Sequence, residues 1–274
     1  MTLPANTPLC EGLQEVAAVG KVQAEDLIEI SGIAVSRTYP SVIWAHNDSG
    51  GEAIVYALAT DGTLLSTHRI GDAFPLDMED IAIGPGPDPT IDYLYVGDIG
   101  DNLHFRPDVL VYRIPEPNPF TDGTSSGVEK IRLTYPEAGV NSEALAVDPV
   151  SGDLFLFEKT SDHPVAIYRA PADLVPGGDP TPLELAGVVG IEAGSQVTGA
   201  DISPTGDRIA LRGYDEVWVW PRSGADIATT LQEEPCEAAS PDEVQGEALA
   251  FSPDATVIFT ISEGSNKPIN QVGP

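Results

Sequence analysis

Basic residues are scarce: 13 Lys and Arg stand against 43 Asp and Glu in 274 residues, a formal charge of -30. A nucleic-acid partner is not expected, because phosphate would be repelled without a basic stripe. An anionic membrane surface is set aside for the same reason. Metal cations, neutral or cationic ligands, or a saline medium around a merely solvated acidic surface fit this charge. Cysteine is also scarce. Cys10 and Cys236 are too few for a disulfide framework or a cysteine-built zinc site. The four histidines are scattered without metal-ligand spacing, which sets zinc aside further. No apolar run reaches the roughly 20 residues that span a bilayer. There is no G-x-S-x-G elbow, phosphate-binding loop or dinucleotide fingerprint, and "GPGP" at 84–87 reads as a turn. The opening "MTLPANTPLCEGLQ" reads as a trimmed mature start with an added Met. A secreted or periplasmic protein whose signal peptide has been removed is expected.

Turn residues, by contrast, are plentiful: Gly 27 and Pro 25 are spread along a chain that is 42% apolar. That favours many short strands over long helices. One phrase recurs between those turns. "NSEALAVDP" at 141–149 returns as "QGEALAFSP" at 245–253, with looser copies "MEDIAIG" at 78–84 and "VTGADISP" at 197–204. "SGIAVSRTYPSVIWAHND" at 31–48 is the least regular copy. Each copy runs into a Pro, Gly or Asp turn and a second apolar run, the pattern of a β-hairpin. Third runs follow at 53–62, 109–117, 165–173 and 216–222, and fourth runs at 64–70, 128–136 and 182–190.

Counted from Ser31, Glu79, Glu143, Thr198 and Glu247, the copies are spaced 48, 64, 55 and 49 residues apart. Periods of this size mean a solenoid or a propeller, and three- or four-stranded antiparallel units at this period are propeller blades. The expected fold is therefore all-β: a β-propeller of four-stranded blades forming one domain over 1–274. Five blades are expected, with a short sixth in 99–142 as the alternative. The last copy leaves room for three strands at most. "LQEVAAVGKVQ" at 13–23 is left to supply its outer strand, which closes the ring and removes two sheet edges. Closure brings the chain start near Cys236. It thereby favours a Cys10–Cys236 staple, as in an oxidising compartment, over two unrelated thiols.

The small-large alternation of "ALAV" and "ALAF" suits a crowded inner strand, with Ala where backbones converge, but it does not require the glutamate before it. The slot holding Ser31, Glu79, Glu143, Thr198 and Glu247 should face one mouth of the central channel. The second strands should end at that mouth too, near Asn47, Asp98, Glu158, Gly213 and Ser262. Carboxylates forced together must share a proton or a cation. Asn47, Glu79, Asp98, Glu143 and Glu247 form an oxygen-rich cage suited to calcium, which takes about six to eight oxygens. In the alternative, each glutamate caps backbone or pairs with Lys159 or Arg212. His46 beside Asp48 reads as either a general base or a structural histidine. "GDIGDN" at 97–102 reads as a mouth loop lending Asp98 or Asp101 to the metal, or as a plain turn. Lys159 and Arg212 would neutralise the cage or hold a developing oxyanion. Trp44, Trp218 and Trp220 fit packing between blades.

Over about residues 25–265 the chain resembles the calcium-dependent β-propeller hydrolases: gluconolactonase, paraoxonase and phosphotriesterase-like enzymes, and more distantly the propeller phytases. Bacterial propellers of the phytase-esterase-like kind share "EDIA", "GDIGDN" and "TGADISP". The resemblance implies a channel calcium held by a glutamate at the start of an inner strand and by Asn or Asp from other blades. Glu79, Glu143, Glu247, Asn47 and Asp98 stand in comparable places. Those enzymes have six blades and more asparagine. Phytate would demand more Lys and Arg, or several calcium ions. The leading expectation is hydrolysis of a small carboxylic or phosphoric ester by a monomer, with His46 or Asp98 as base or nucleophile and Lys159 and Arg212 stabilising charge. The rival is a non-catalytic binding module with a structural ion.

Overall fold

The computed structural model describes residues 9–10, 14–48, 51–137 and 139–274. Most of the segment read above as a trimmed start (1–8 and 11–13) lies outside the described residues. Strand β1 (Glu15–Lys21) precedes the first blade, which is β2 (Ile30–Val35), β3 (Val42–Asn47), β4 (Ile54–Ala59) and β5 (Leu64–Ile70). The second blade is β6 (Met78–Pro85), β7 (Asp92–Asp98), β8 (Val109–Pro115) and, after the short β9 (Gly123–Ser125), β10 (Glu129–Thr134). The third is β11 (Ser142–Val147), β12 (Leu154–Glu158), β13 (Ala166–Ala170) and, after the short β14 (Thr181–Pro182), β15 (Glu184–Val188). The fourth holds β16 (Gly199–Ile202), β17 (Arg208–Arg212) and β18 (Val217–Pro221), then helix α1 (Ile227–Leu231) and β19 (Cys236–Ala238). The fifth is β20 (Gly246–Phe251), β21 (Ile258–Ser262) and β22 (Pro268–Gly273).

Strand β1 pairs antiparallel with β22, so the first strand of the chain completes the last blade. The inner strands β2, β6, β11, β16 and β20 each pack against the next, and β20 returns to β2. The fold is a five-bladed β-propeller. Residues 99–142, the place reserved for a sixth blade, instead supply strands to the first and second blades. Two additions have no counterpart in the repeat. β9 pairs parallel with β5, and β14 pairs parallel with β10. In this way an excursion from each following blade covers the outer edge of the blade before it, removing an unpaired ladder.

Five apolar clusters lie one at each blade–blade interface, and their membership explains the small-large alternation. On β11, Leu145 and Val147 pack back on the second blade, while Ala144 and Ala146 face the fourth. On β20, Leu249 and Phe251 face the fourth blade, and Ala248 and Ala250 face the first. The alanines therefore face the next blade and receive its large side chains; they do not crowd the axis. Trp44 is buried between the first two blades, and Trp218 and Trp220 between the third and fourth. Cys10 and Cys236 are bonded with their Cα atoms 5.6 Å apart, tying the entry to β1 onto β19.

The axis is closed by two aspartates standing where other copies have Ala or Gly. Asp80 is wholly buried. Its Oδ1 accepts from Ile81 N (2.8 Å), and its Oδ2 accepts from Leu145 N (2.8 Å) and Ala200 N (3.3 Å). It thus caps the free inner edges of β6, β11 and β16. On β2, a Cβ at Gly32 would lie 2.7 Å from Asp80 Oδ1, so only glycine leaves that carboxylate its place. Asp201 does the same for the last two blades, accepting from Ile202 N and Phe251 N, both at 2.8 Å. Backbone donors left unpaired there would each cost about 1–3 kcal/mol.

Candidate functional site

The repeated slot is shaped by a bulge. β2 and β3 pair Ile30 with Asn47 and then Gly32 with His46, so Ser31 is the extra residue. The same slip falls at Glu79, Glu143 and Glu247. A bulge leaves one residue outside the ladder and re-aims its side chain. All five slot residues are buried near one mouth. Two of them serve the frame: Ser31 Oγ donates to Glu79 O (2.5 Å) and Thr198 Oγ1 to Gly246 O (2.9 Å), each lacing two inner strands. The other three are glutamates whose carboxyl groups are not used in that way.

Glu79 lies among acids. Asp48, just past β3, and Asp77, just before β6, each bring a carboxylate oxygen within 4.8 Å of the others and of Glu79. Burial first, then Glu143, Asp48 and Asp77, push the Glu79 carboxyl well above its ordinary range; Lys159 opposes them. Asp77 is also raised, by burial, against the pull of Arg106. The backbone of Gly100 lies directly on this group, since a Cβ there would overlap Glu79 Oε1 and Asp77 Oδ2. Among the described residues, this is the one set of acidic, histidine or cysteine side chains close enough to hold a metal ion together. Three carboxylates from two blades offer a hard oxygen set that suits calcium better than zinc.

Of the five residues expected as ligands, Glu79 is in this group. Glu143 is ion-paired with Lys159 Nζ, which also donates to Tyr214 Oη (2.6 Å). Burial raises the Glu143 carboxyl even so. Burial draws the Lys159 ammonium down, but Glu143 and Tyr214 outweigh it and hold the group above its usual value. Glu247 accepts from Gln245 Nε2 (3.3 Å); burial, Glu263 and Glu143 push it up to about 8. Asn47 has both ends of its amide engaged by the loop before β2. Its Oδ1 accepts from Ile28 N and Glu29 N (2.9 and 3.0 Å), and its Nδ2 donates to Asp26 O (2.8 Å). Asp98 Oδ1 accepts from Leu76 N, Asp77 N and Arg106 Nη1, while Oδ2 is buried without a hydrogen-bond partner.

The other residues expected in catalysis are enclosed. His46 is wholly buried, its Nδ1 is 2.8 Å from Asn47 O, and burial lowers its pKa to about 4, so the ring is neutral. Arg212 is also wholly buried. Its Nη1 lies 2.9 Å from Glu243 Oε2 and donates to Ala248 O (2.9 Å). Its guanidinium fills the space that a side chain at Gly246 would need. The "GDIGDN" loop pins itself: the Asp101 carboxylate accepts from Phe105 N (3.0 Å) and Arg106 N (2.9 Å).

Asp77 and Asp48 are the members of the acidic group not named among the expected metal ligands; Asp48 was read only as the carboxylate beside His46. A second column of the repeat does contain Asp77. Two positions before the slot stand Glu29, Asp77, Asn141, Gln196 and Gln245, acidic or amide in every copy. Asp48, Lys159 and Glu263 form a third column just past the second strand. Their amides donate to the carbonyls of Glu29, Asn141 and Gln245 at 2.8, 2.9 and 2.9 Å.

No protein-family model matches this chain, and no curated protein matches it. Among solved structures it is similar to U3-55K, with 9% identity, 94% of this chain and 98% of that one covered, and a TM-score of 0.43. A gluconolactonase of Xanthomonas campestris matches with 11% identity over 89% of this chain and 71% of that one, TM-score 0.49. A Bacteroides uniformis protein provisionally described as a 6-phosphogluconolactonase matches with 17% identity over 87% and 66%, TM-score 0.44. The propeller assignment rests on this chain's own strand order. No helix among the described residues is long and apolar enough to cross a membrane.

Proposed function

We propose that the protein is a calcium-dependent hydrolase of small carboxylic or phosphoric esters, with its site at the mouth where the slot glutamates gather. The supporting observation is the convergence of Asp48, Asp77 and Glu79 from two blades, with burial and mutual repulsion raising Glu79. Such a group must take up a proton or a cation. Asp48, Asp77 and Glu79 would hold the ion, which when bound would polarise the ester oxygen and make a bound water more acidic. Hydrolysis puts hydroxyl on the acyl or phosphoryl centre and a proton on the leaving oxygen. Glu247, protonated at neutral pH, is the acid available at the same mouth. Lys159, anchored by Glu143 and Tyr214, supplies the positive charge that favours a developing oxyanion. His46 and Arg212 hold the frame behind these groups. The disulfide fits an oxidising compartment.

Titration calorimetry of chelator-treated protein with calcium, paired with hydrolysis of aryl esters, lactones and phosphate esters, tests this reading. Calcium binding that Glu79→Gln with Asp77→Asn abolishes, and turnover that needs calcium, are expected. Absence of calcium binding overturns it. Binding with no turnover on any substrate leaves the non-catalytic module.

A further inference from the structure

The geometry points to a specificity subsite beside the acidic group: a cavity of about 320 Å³ that takes the apolar arm of an uncharged carboxylic ester. The inference rests on the hydrolase reading and chooses within it. The cavity is walled by Leu76, Leu103 and Phe105 together with Asp77, Asp101 and Arg106. Asp77 belongs both to this wall and to the acidic group, so a molecule filling the cavity touches the reactive centre. Gly100, with no side chain of its own, keeps the backbone between the two against Glu79.

Leu76, Leu103 and Phe105 are 63%, 78% and 68% exposed on a surface that is otherwise rich in acid. Contiguous exposed apolar side chains mark binding surfaces. Here the backbone holds them outward through buried polar groups. Asp101 accepts from Phe105 N and Arg106 N. Asn141 Oδ1 accepts from Asp101 N (2.6 Å), and Arg106 Nη1 donates to Asp98 Oδ1 (2.9 Å) and Gly100 O (2.8 Å). The loop is therefore preorganised for contact with a ligand before any arrives, which lowers the ordering cost of binding.

Charge selects the occupant. Arg106 is the cavity's cation, and it is already engaged by Asp98 and Gly100. The remaining charges are the carboxylates of Asp77 and Asp101. A phosphate monoester would meet repulsion without an uncommitted base, whereas an uncharged acyl or aryl group meets apolar walls.

The test is the ratio of kcat/KM for p-nitrophenyl hexanoate over p-nitrophenyl acetate. Four added methylenes should raise that ratio about tenfold or more even if only partly buried, chiefly through KM. In Leu103→Ser with Phe105→Ser the ratio should collapse toward one, while the calcium-induced melting shift shows that the fold and the ion site persist. Val150→Ser, on the turn at the opposite mouth, should leave the ratio unchanged. A ratio that survives the double substitution, or p-nitrophenyl phosphate turned over faster than the hexanoate, overturns the subsite. Equilibrium dialysis with hexyl p-nitrophenyl ether, which cannot be hydrolysed, reads the cavity independently. Binding lost in the double variant supports the subsite even if no ester turns over and the hydrolase reading fails. No binding to the unaltered protein sinks the subsite alone.

Discussion

Two sets of carboxylates meet in the chain where Asp80 follows Glu79, and they do opposite things. Asp80 and Asp201, on the axis, have oxygens filled by backbone N–H groups from the inner strands. Asp48, Asp77 and Glu79, at the mouth, bring carboxylate oxygens within 4.8 Å of one another, and neighbouring acids raise Glu79 against the pull of Lys159. Both sets contain groups raised by burial. Burial alone therefore does not mark a reactive site here. The difference lies in the partners: donors on the axis make the aspartates part of the frame, and like charges at the mouth leave room for a cation. Asp80 and Glu79 are adjacent in sequence, and the bulge at Glu79 sends one side chain to each set.

The largest expected effect breaks the axis. Asp80→Ala removes the acceptor for Leu145 N and Ala200 N and should cost about 2–5 kcal/mol in urea unfolding. If Glu79→Gln proves equally costly, the two sets do not differ as described. Gly100→Ala comes next. Its Cβ would overlap Glu79 and Asp77, so it should abolish the melting shift that the proposed calcium site predicts, at a stability cost of about 1–3 kcal/mol. A calcium response in this variant equal to that of the unaltered protein would show that the loop does not abut the proposed ion site.

A pH profile in chelator sharpens the comparison further. Asp201 rises from 3.8 to about 6 and Glu247 from 4.5 to about 8. A raised folded pKa means that the folded state holds its proton more tightly. The contribution of each group is fully present below its unfolded value and is lost as pH rises through the folded one. Stability should therefore fall between about pH 4 and 8, by no more than about 1.4 kcal/mol per pH unit for each proton released. Glu247→Gln should flatten the part between pH 6 and 8; an unchanged slope there would refute the raised Glu247. The smallest effect has the opposite sign to the first. At a pH high enough to ionise Glu79, Glu79→Gln relieves repulsion and should stabilise the calcium-free protein by ~1 kcal/mol. A loss in place of that gain would mean that Glu79 is held by donors, as Asp80 is.

Much of the frame was legible in the sequence. The inner strands, their hairpin partners, the closing strand β1 and the burial of the three tryptophans between blades all follow from contiguous alternation and turn residues. The outer strand β19, helix α1 and the parallel additions β9 and β14 were not legible, because they are short and their pairing is chosen by neighbouring blades. Asp80 and Asp201 were visible as the acids in columns otherwise filled by Ala and Gly. Their role depended on knowing that inner-strand edges meet at the axis. At the site, Glu79 was read from its slot, but Asp77 stood in a column that mattered only once the bulge was known.

The order of residues, by itself, determined five hairpin-led blades and one mouth rich in glutamate, since strand periodicity and turn chemistry act between near neighbours in the chain. Tertiary structure alone decided which acids stand together, which find a lysine or an arginine, and which are quieted by backbone donors. Electrostatic coupling depends on separation in space and on access to water, and the packing of one blade against the next sets both.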